Sequence, residues 1–144
     1  MMRTVPTWDE YFADLARKAK DRSKDPSTQV GAIIVLGNRH VTTGYNGFPK
    51  GVLETSERWE RPTKYDWVVH AELNAILLAG VAGASIIGGT IFSTLYPCCR
   101  CAGAIINADL KEVVYLNKDN PRWDQSHLIA KQMFEEAGIK VRAL

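Results

Sequence analysis

Gly89-Thr90-Ile91-Phe92-Ser93-Thr94-Leu95 followed by Tyr96-Pro97-Cys98-Cys99-Arg100-Cys101 runs an apolar segment directly into a cysteine cluster. Gly89 to Leu95 has the length and β-branched content of one strand, and Cys98 to about Asp109 carries Ala102, Ile105 and Ile106 at helical spacing. Downstream, Glu112 to Leu116 reads as a second buried strand, Asp124 to Ala137 as an amphipathic helix closed by Gly138, and Ile139 to Arg142 as an edge strand. Upstream, a helical pattern spans about His70 to Gly80, and Val30 to Leu36 suits a strand buried on both faces. Gly37-Asn38 then signals a turn into a hairpin partner over Arg39 to Tyr45. Thr7-Trp8-Asp9-Glu10 has the form of a capping box, so a first helix starts there and runs until Asp25-Pro26 stops it. Strands alternating with helices imply a layered α/β domain with at least partly parallel pairing, one domain over residues 1–144. Asn46 to Asp66 is long, polar and rich in Gly, Pro and charge, the type of segment that is functional or partly disordered.

Composition narrows the class. A formal net charge of +2 is too small to argue for a nucleic-acid partner, and no apolar run reaches the length of a membrane span. The opening Met1-Met2-Arg3-Thr4-Val5-Pro6 lacks the apolar stretch of a secretory signal, so a cytoplasmic protein is expected. Three cysteines within four positions form no disulfide framework across a fold; in a reducing compartment such a cluster serves metal binding or catalysis.

Cys98 and Cys101, three apart at the first turn of a helix, face the same way, while Cys99 points elsewhere. The positive end of that helix favours thiolates. His70 opens another helix, and in a layered α/β domain such helix starts collect at one edge of the sheet. One imidazole and two thiolates can therefore reach a single zinc ion. Two thiolates neutralise Zn²⁺, and neutral His70 as third ligand leaves the metal electrophilic enough to bring a bound water toward a pKa of about 7. Glu72, two residues from His70, is placed to shuttle protons. Other readings of these residues stand beside this one. Cys98 and Cys101 alone would also suit buried small apolar residues or a redox pair, but Pro97 and the upstream His-x-Glu favour zinc; His40 and His127 read as surface or packing residues, and either as a fourth ligand would make the site structural.

His-x-Glu followed by Pro-Cys-x-x-Cys is the signature of zinc nucleobase deaminases. The runs Arg22-Ser23-Lys24-Asp25-Pro26-Ser27-Thr28-Gln29-Val30-Gly31-Ala32, Gly44-Tyr45-Asn46-Gly47-Phe48-Pro49 and His70-Ala71-Glu72-Leu73-Asn74-Ala75-Ile76 narrow this further. From about Trp8 to about Val141 the chain resembles the deoxycytidylate (dCMP) deaminases of the cytidine deaminase superfamily. The resemblance implies a three-layer α/β/α sandwich around a mixed sheet of about five strands. It also implies hydrolysis of dCMP to dUMP and ammonia for thymidylate synthesis. Zinc would be held by His70, Cys98 and Cys101, with water attacking C4 of the ring while Glu72 protonates N3 and later the leaving amine.

The resemblance extends to nucleotide contacts. Ala71 would offer its backbone N–H to the pyrimidine carbonyl, Asn46 would read base or sugar, and Gly44 and Gly47 would let backbone approach a ligand. Lys24, Arg22, Ser27 and Lys50 flank the nucleotide segments as phosphate contacts. Gly44, Tyr45, Asn46, Gly47, Phe48 and Pro49 would form a regulatory site where dCTP activates and dTTP inhibits, with Mg²⁺ accompanying the effector triphosphate, in a homo-oligomer expected to be a hexamer. Similar proteins carry a tyrosine shortly after the strand that here ends Val113-Val114-Tyr115; this chain reads Leu116-Asn117-Lys118-Asp119-Asn120 instead, which leaves Asn120 or Asp119 as the substitute hydrogen-bond partner. Only Cys99 and Asp25 are spare for a second zinc, so one ion is expected. The competing functions are a deaminase acting on bases in single-stranded nucleic acid, a deaminase of another free base or nucleoside, and a zinc-stabilised interaction domain without activity.

Overall fold

The computed structural model describes residues 1–144. Helix α1 (Trp8–Lys20) begins at Thr7, whose side chain accepts from the Glu10 N–H while the Glu10 carboxylate accepts from the Thr7 N–H, the capping box the sequence predicts. It ends well before Asp25-Pro26; residues 21–30 instead cross to the sheet without regular structure. Strands β1 (Gly31–Val35) and β2 (His40–Tyr45) form an antiparallel hairpin through Gly37-Asn38. The polar stretch that follows is ordered rather than structureless, holding two single-turn helices, α2 (Ser56–Trp59) and α3 (Lys64–Trp67). Then come α4 (Ala71–Ala82), β3 (Thr90–Leu95), α5 (Cys99–Asn107), β4 (Glu112–Asn117), α6 (Asp124–Ala137) and β5 (Lys140–Ala143).

The five strands lie in the order β2-β1-β3-β4-β5. The β2–β1 and β1–β3 pairs are antiparallel and the β3–β4 and β4–β5 pairs parallel, giving the mixed sheet expected. The inner strands β1, β3 and β4 carry the apolar runs because both their faces are covered, whereas the edge strands β2 and β5 are more polar. Phe12 and Ala16 of α1 pack on Ile33, Val35, Phe92 and Val114. The alternate residues Ala32, Ile34, Ile91 and Val113 face α4, α5 and α6 through Ala75, Ile105 and Phe134. One α-layer on each side of the sheet is the three-layer sandwich.

Two glycines set how closely these layers approach. A Cβ at Gly31 would lie 2.2 Å from the Ala16 carbonyl of α1, and one at Gly44 would lie 2.1 Å from the Ala71 carbonyl of α4. Neither separation is possible for real atoms. Gly44 therefore admits a helix, not a ligand, which corrects its reading from the sequence. No helix is long and apolar enough to cross a membrane.

Candidate active site

β3 and the parallel strand β4 end on the same edge of the sheet, where β2 also ends and β1 begins. Two helix starts open onto that edge. His70 is the N-cap of α4 and Cys98 the N-cap of α5, whose Sγ accepts from the Cys101 N–H. His70 Nδ1 lies 3.4 Å from Cys98 Sγ and 3.5 Å from Cys101 Sγ. These three ligand atoms all fall within 4.8 Å of one another, and the cluster contains no further His, Cys, Asp or Glu. Zinc with bonds of about 2.3 Å to sulphur and 2.0–2.1 Å to nitrogen at tetrahedral angles separates N from S by about 3.6 Å. The spacing and the borderline-soft donor set both fit that ion.

The three side chains of the cluster shift one another's protonation. The Cys98 thiol is held well below its usual range, chiefly by the hydrogen bond with the Cys101 thiol and then by the His70 imidazole, against the effect of burial. Cys101 moves up for the complementary reason, its neighbour's thiolate and its own burial. His70 is raised by its hydrogen bond to Cys98, with burial opposing.

Cys99 stands apart, its backbone N–H donating to Ser126 Oγ at 2.8 Å. His40 is exposed on β2 and bonded to Thr43. His127 is buried against Tyr96 and lines the cleft without joining the cluster.

Glu72 occupies the first turn of α4 and is only 4% exposed. Burial raises its carboxyl pKa, opposed by the His70 charge and by hydrogen bonds, including one of 3.0 Å from Ser93 Oγ. Ser93 is wholly buried in the middle of β3. Sequence reasoning passed over it, although a hydroxyl inside an apolar strand is itself the signal of a paired polar group.

A cleft opens above the cluster. His70, Ala71, Glu72 and Cys98 line it from the helix starts; Asp25, Thr28 and Asn46 from the strand ends; and Arg61, Lys64, Tyr65 and Trp123 from later segments. Ala71, in the first turn of α4, has an N–H with no intrahelical carbonyl to bond. Asn46 is present, but its amide is committed to the protein. Oδ1 accepts from the Val30 N–H at 2.8 Å, and Nδ2 donates to the Thr28 carbonyl at 2.9 Å and to Asp25 at 3.3 Å. One Oδ1 lone pair remains for a ligand.

The structure corrects several expected contacts. Lys24 is 73% exposed and paired with Glu54, away from the cleft walls. The Ser27 hydroxyl is taken up by Asp25 and Lys64. Asn120 precedes the 3-10 turn Pro121–Trp123 and does not line the cleft; Trp123 does, edge-on to both His70 and Tyr65. An aromatic ring from the start of α6 thus covers the region assigned from sequence to a polar substitute. Gly47 pairs backbone-to-backbone with Val69, Tyr45 O accepts from Asn74 Nδ2, and Phe48 packs on Trp59 and Trp67.

Residues 6–117 match the family model described as the cytidine and deoxycytidylate deaminase zinc-binding region. The chain is 40% identical over 142 residues to deoxycytidylate deaminase of Mus musculus, covering 94% of this chain and 78% of that one. It is 39% identical over 142 residues to the Homo sapiens enzyme, at the same coverage of each. The crystal structure of dCMP deaminase from the cyanophage S-TIM5 in complex with dCMP and dUMP superposes with a TM-score of 0.80 at 27% identity, covering 99% of this chain and 100% of that one. With the match taking in both helix starts and well over half of the sequence, the chain belongs to the cytidine and deoxycytidylate deaminase family.

Proposed function

We propose that residues 1–144 form a single deaminase domain that hydrolyses dCMP to dUMP and ammonia, supplying dUMP for thymidylate synthesis. The observation that carries the reading is the convergence of His70 Nδ1, Cys98 Sγ and Cys101 Sγ on one point in the cleft that Glu72 also lines. Its support beyond chemistry is that the relatives matched over nearly the whole chain are deoxycytidylate deaminases and that a structural neighbour binds dCMP and dUMP.

His70, Cys98 and Cys101 would hold zinc. Zinc bound by such a set lowers the pKa of water toward about 7 and so supplies the nucleophile at neutral pH. Glu72 takes up the proton that water loses on attacking C4, delivers it to N3, and then carries the second water proton to the amine, which leaves as ammonia. The water oxygen remains as the C4 carbonyl. A buried carboxyl suits this work because desolvation keeps its protonated form accessible. Ser93 fixes the carboxylate, the Ala71 N–H bonds the ring carbonyl, and Asn46 Oδ1 accepts from a sugar hydroxyl.

We further propose regulation in the cytoplasm by dCTP as activator and dTTP as inhibitor, each with Mg²⁺, at Tyr45 to Pro49, with Gly44 left to helix packing. What supports it is mechanical: this segment is tied to the start of α4 by the Gly47–Val69 pairing and the Asn74–Tyr45 bond, so a ligand there bears on His70 and Glu72. A homohexamer fits the apolar outer face of α4, where Leu77, Leu78 and Val81 are exposed. Ammonia release from dCMP, CMP, deoxycytidine and a short oligonucleotide, compared on zinc-loaded protein, tests the activity; turnover of the oligonucleotide in preference to dCMP would refute it. Sigmoidal dCMP kinetics made hyperbolic by dCTP test the regulation, and indifference to both triphosphates removes it.

A further inference from the structure

One of the two basic side chains on the cleft walls has no ion-pair partner. Lys64 and Asp25 both line the cleft, but they neutralise each other at 2.7 Å, with side chains only 7% and 2% exposed. Arg61 is the other cation on the walls, and it makes no ion pair. Its partners are both hydroxyls: Nε donates to Tyr65 Oη at 3.0 Å and Nη2 to Thr28 Oγ1 at 3.2 Å. Each hydroxyl spends a lone pair on the guanidinium and keeps its own O–H to give. Arg61 in turn retains N–H groups beyond the two it uses. Guanidinium, Thr28 hydroxyl and Tyr65 hydroxyl therefore present donors to the cleft with a positive charge that no carboxylate pairs. That is the complement of a phosphate monoester, whose oxygens only accept when ionised and which arginine grips as a planar fork.

We infer that Arg61, with the Thr28 and Tyr65 hydroxyls, holds the 5′-phosphate of the nucleotide and sets the preference for a nucleotide over a nucleoside. The inference rests on the dCMP reading above. It replaces Lys24 and Ser27 in that role: the first pairs with Glu54 outside the cleft, and the second is consumed by Asp25 and Lys64. The rival cations are Arg100 and Arg122, which line an adjoining depression beside Trp123. Arg61 is preferred because it lines the same cleft as Ala71 and Glu72.

The test reads binding as well as turnover. Calorimetry on the zinc-loaded protein gives Kd for dUMP and for deoxyuridine, alongside kcat and KM for dCMP. Arg61→Ala should weaken dUMP about 10- to 100-fold, the range for losing charge-assisted hydrogen bonds, and raise KM for dCMP in step, with kcat and deoxyuridine binding changed less than about threefold. Arg61→Lys should recover part of the loss, and Lys24→Ala should leave dUMP binding unchanged. Tyr65→Phe, which removes one hydroxyl and keeps the ring, should weaken dUMP severalfold and carries the test if Arg61→Ala misfolds. Unchanged dUMP binding in Arg61→Ala, an equal loss for deoxyuridine, or the same loss on replacing Arg100 or Arg122 instead overturns the inference. Wild-type protein that fails to deaminate dCMP, yet needs Arg61 to bind dUMP, would overturn the proposed activity and leave the phosphate site standing.

Discussion

Ser93 Oγ donates to Glu72 Oε1 at 3.0 Å, joining the middle of β3 to the first turn of α4 inside the protein. The bond holds one carboxylate oxygen and leaves the other to the cleft. Because Glu72 is proposed to move protons and Ser93 only to orient it, the two should separate in kinetics. Glu72→Gln keeps volume and zinc content but should cut kcat about 10²- to 10⁴-fold. Ser93→Ala should lower kcat about 10-fold with KM nearly unchanged, the cost of one buried charge-assisted bond. Steady-state dCMP kinetics with zinc analysis on each variant check both; a Ser93→Ala effect confined to KM would assign Ser93 to ground-state binding.

The cysteines should divide sharply despite their adjacency. Cys98 and Cys101 share the cluster with His70, whereas Cys99 Sγ is outside it. Cys98→Ser, Cys101→Ser and His70→Ala should each bring zinc well below one ion per chain and lower Tm, since a ligand bound only by the folded state stabilises it by mass action. Cys99→Ser should keep one zinc and full stability. Metal analysis and thermal melting with and without chelator read the difference. A chelator that leaves Tm of the wild type unchanged would count against zinc at this site.

The parts of the fold and site visible in sequence are those governed by local spacing. The capping box at Thr7, the twofold alternation of Ile33 and Ile34 or Ile91 and Phe92 between two covered faces, and the paired helix starts at His70 and Cys98 follow from periodicity and cap chemistry. The parts missed depend on distant segments meeting. Lys64 is buried only because Asp25 waits 39 residues earlier. Arg61 and Trp123 reach the cleft from segments far apart in the chain, where Trp123 packs edge-on to Tyr65 and His70. Lys24 carries the right charge in a motif-bearing stretch, but its side chain leaves the cleft for Glu54. Gly44 looks like a ligand-binding glycine and serves helix packing, which no linear pattern distinguishes.

The Asp25–Lys64 pair should be expensive to break and comparatively cheap to delete. Asp25 also accepts from the backbone N–H groups of Ser27 and Thr28, so it pins the loop between α1 and β1 to α3. Asp25→Asn or Lys64→Met leaves a buried charge alone and should cost about 3–5 kcal/mol, while the double replacement should cost less than the sum. Burial alone would raise the Asp25 pKa, but the Lys64 ammonium and the backbone N–H groups outweigh it and hold the carboxyl below its ordinary value. A carboxyl depressed in the folded state contributes stability that is fully present above its unfolded pKa of about 3.9 and is lost as pH falls through the lower folded value. Denaturant melts should therefore show wild type losing stability below about pH 4, with a shallower acid limb in the double variant.

Gly44→Ala tests whether the segment before the long loop is architecture. The added methyl would meet the Ala71 carbonyl and, at 2.5 Å, the Ala75 nitrogen, both of them backbone of α4 that cannot swing aside as a flexible side chain would. The helix must shift, and its first turn carries Ala71 and Glu72 directly after His70. Overpacking of this kind costs about 1–3 kcal/mol, occasionally more. Because the shift acts on a zinc ligand and the proton carrier together, zinc affinity and kcat should fall with stability. Gly47→Ala, with nothing within 4 Å of the added methyl, should leave all three close to wild type. Competition with a chromophoric zinc chelator, read beside melting temperature and dCMP turnover, distinguishes the outcomes. A Gly44→Ala protein with native zinc affinity and normal kcat would mean that β2 yields in place of α4, and that the helix is held by its contacts with β1, β3 and α5.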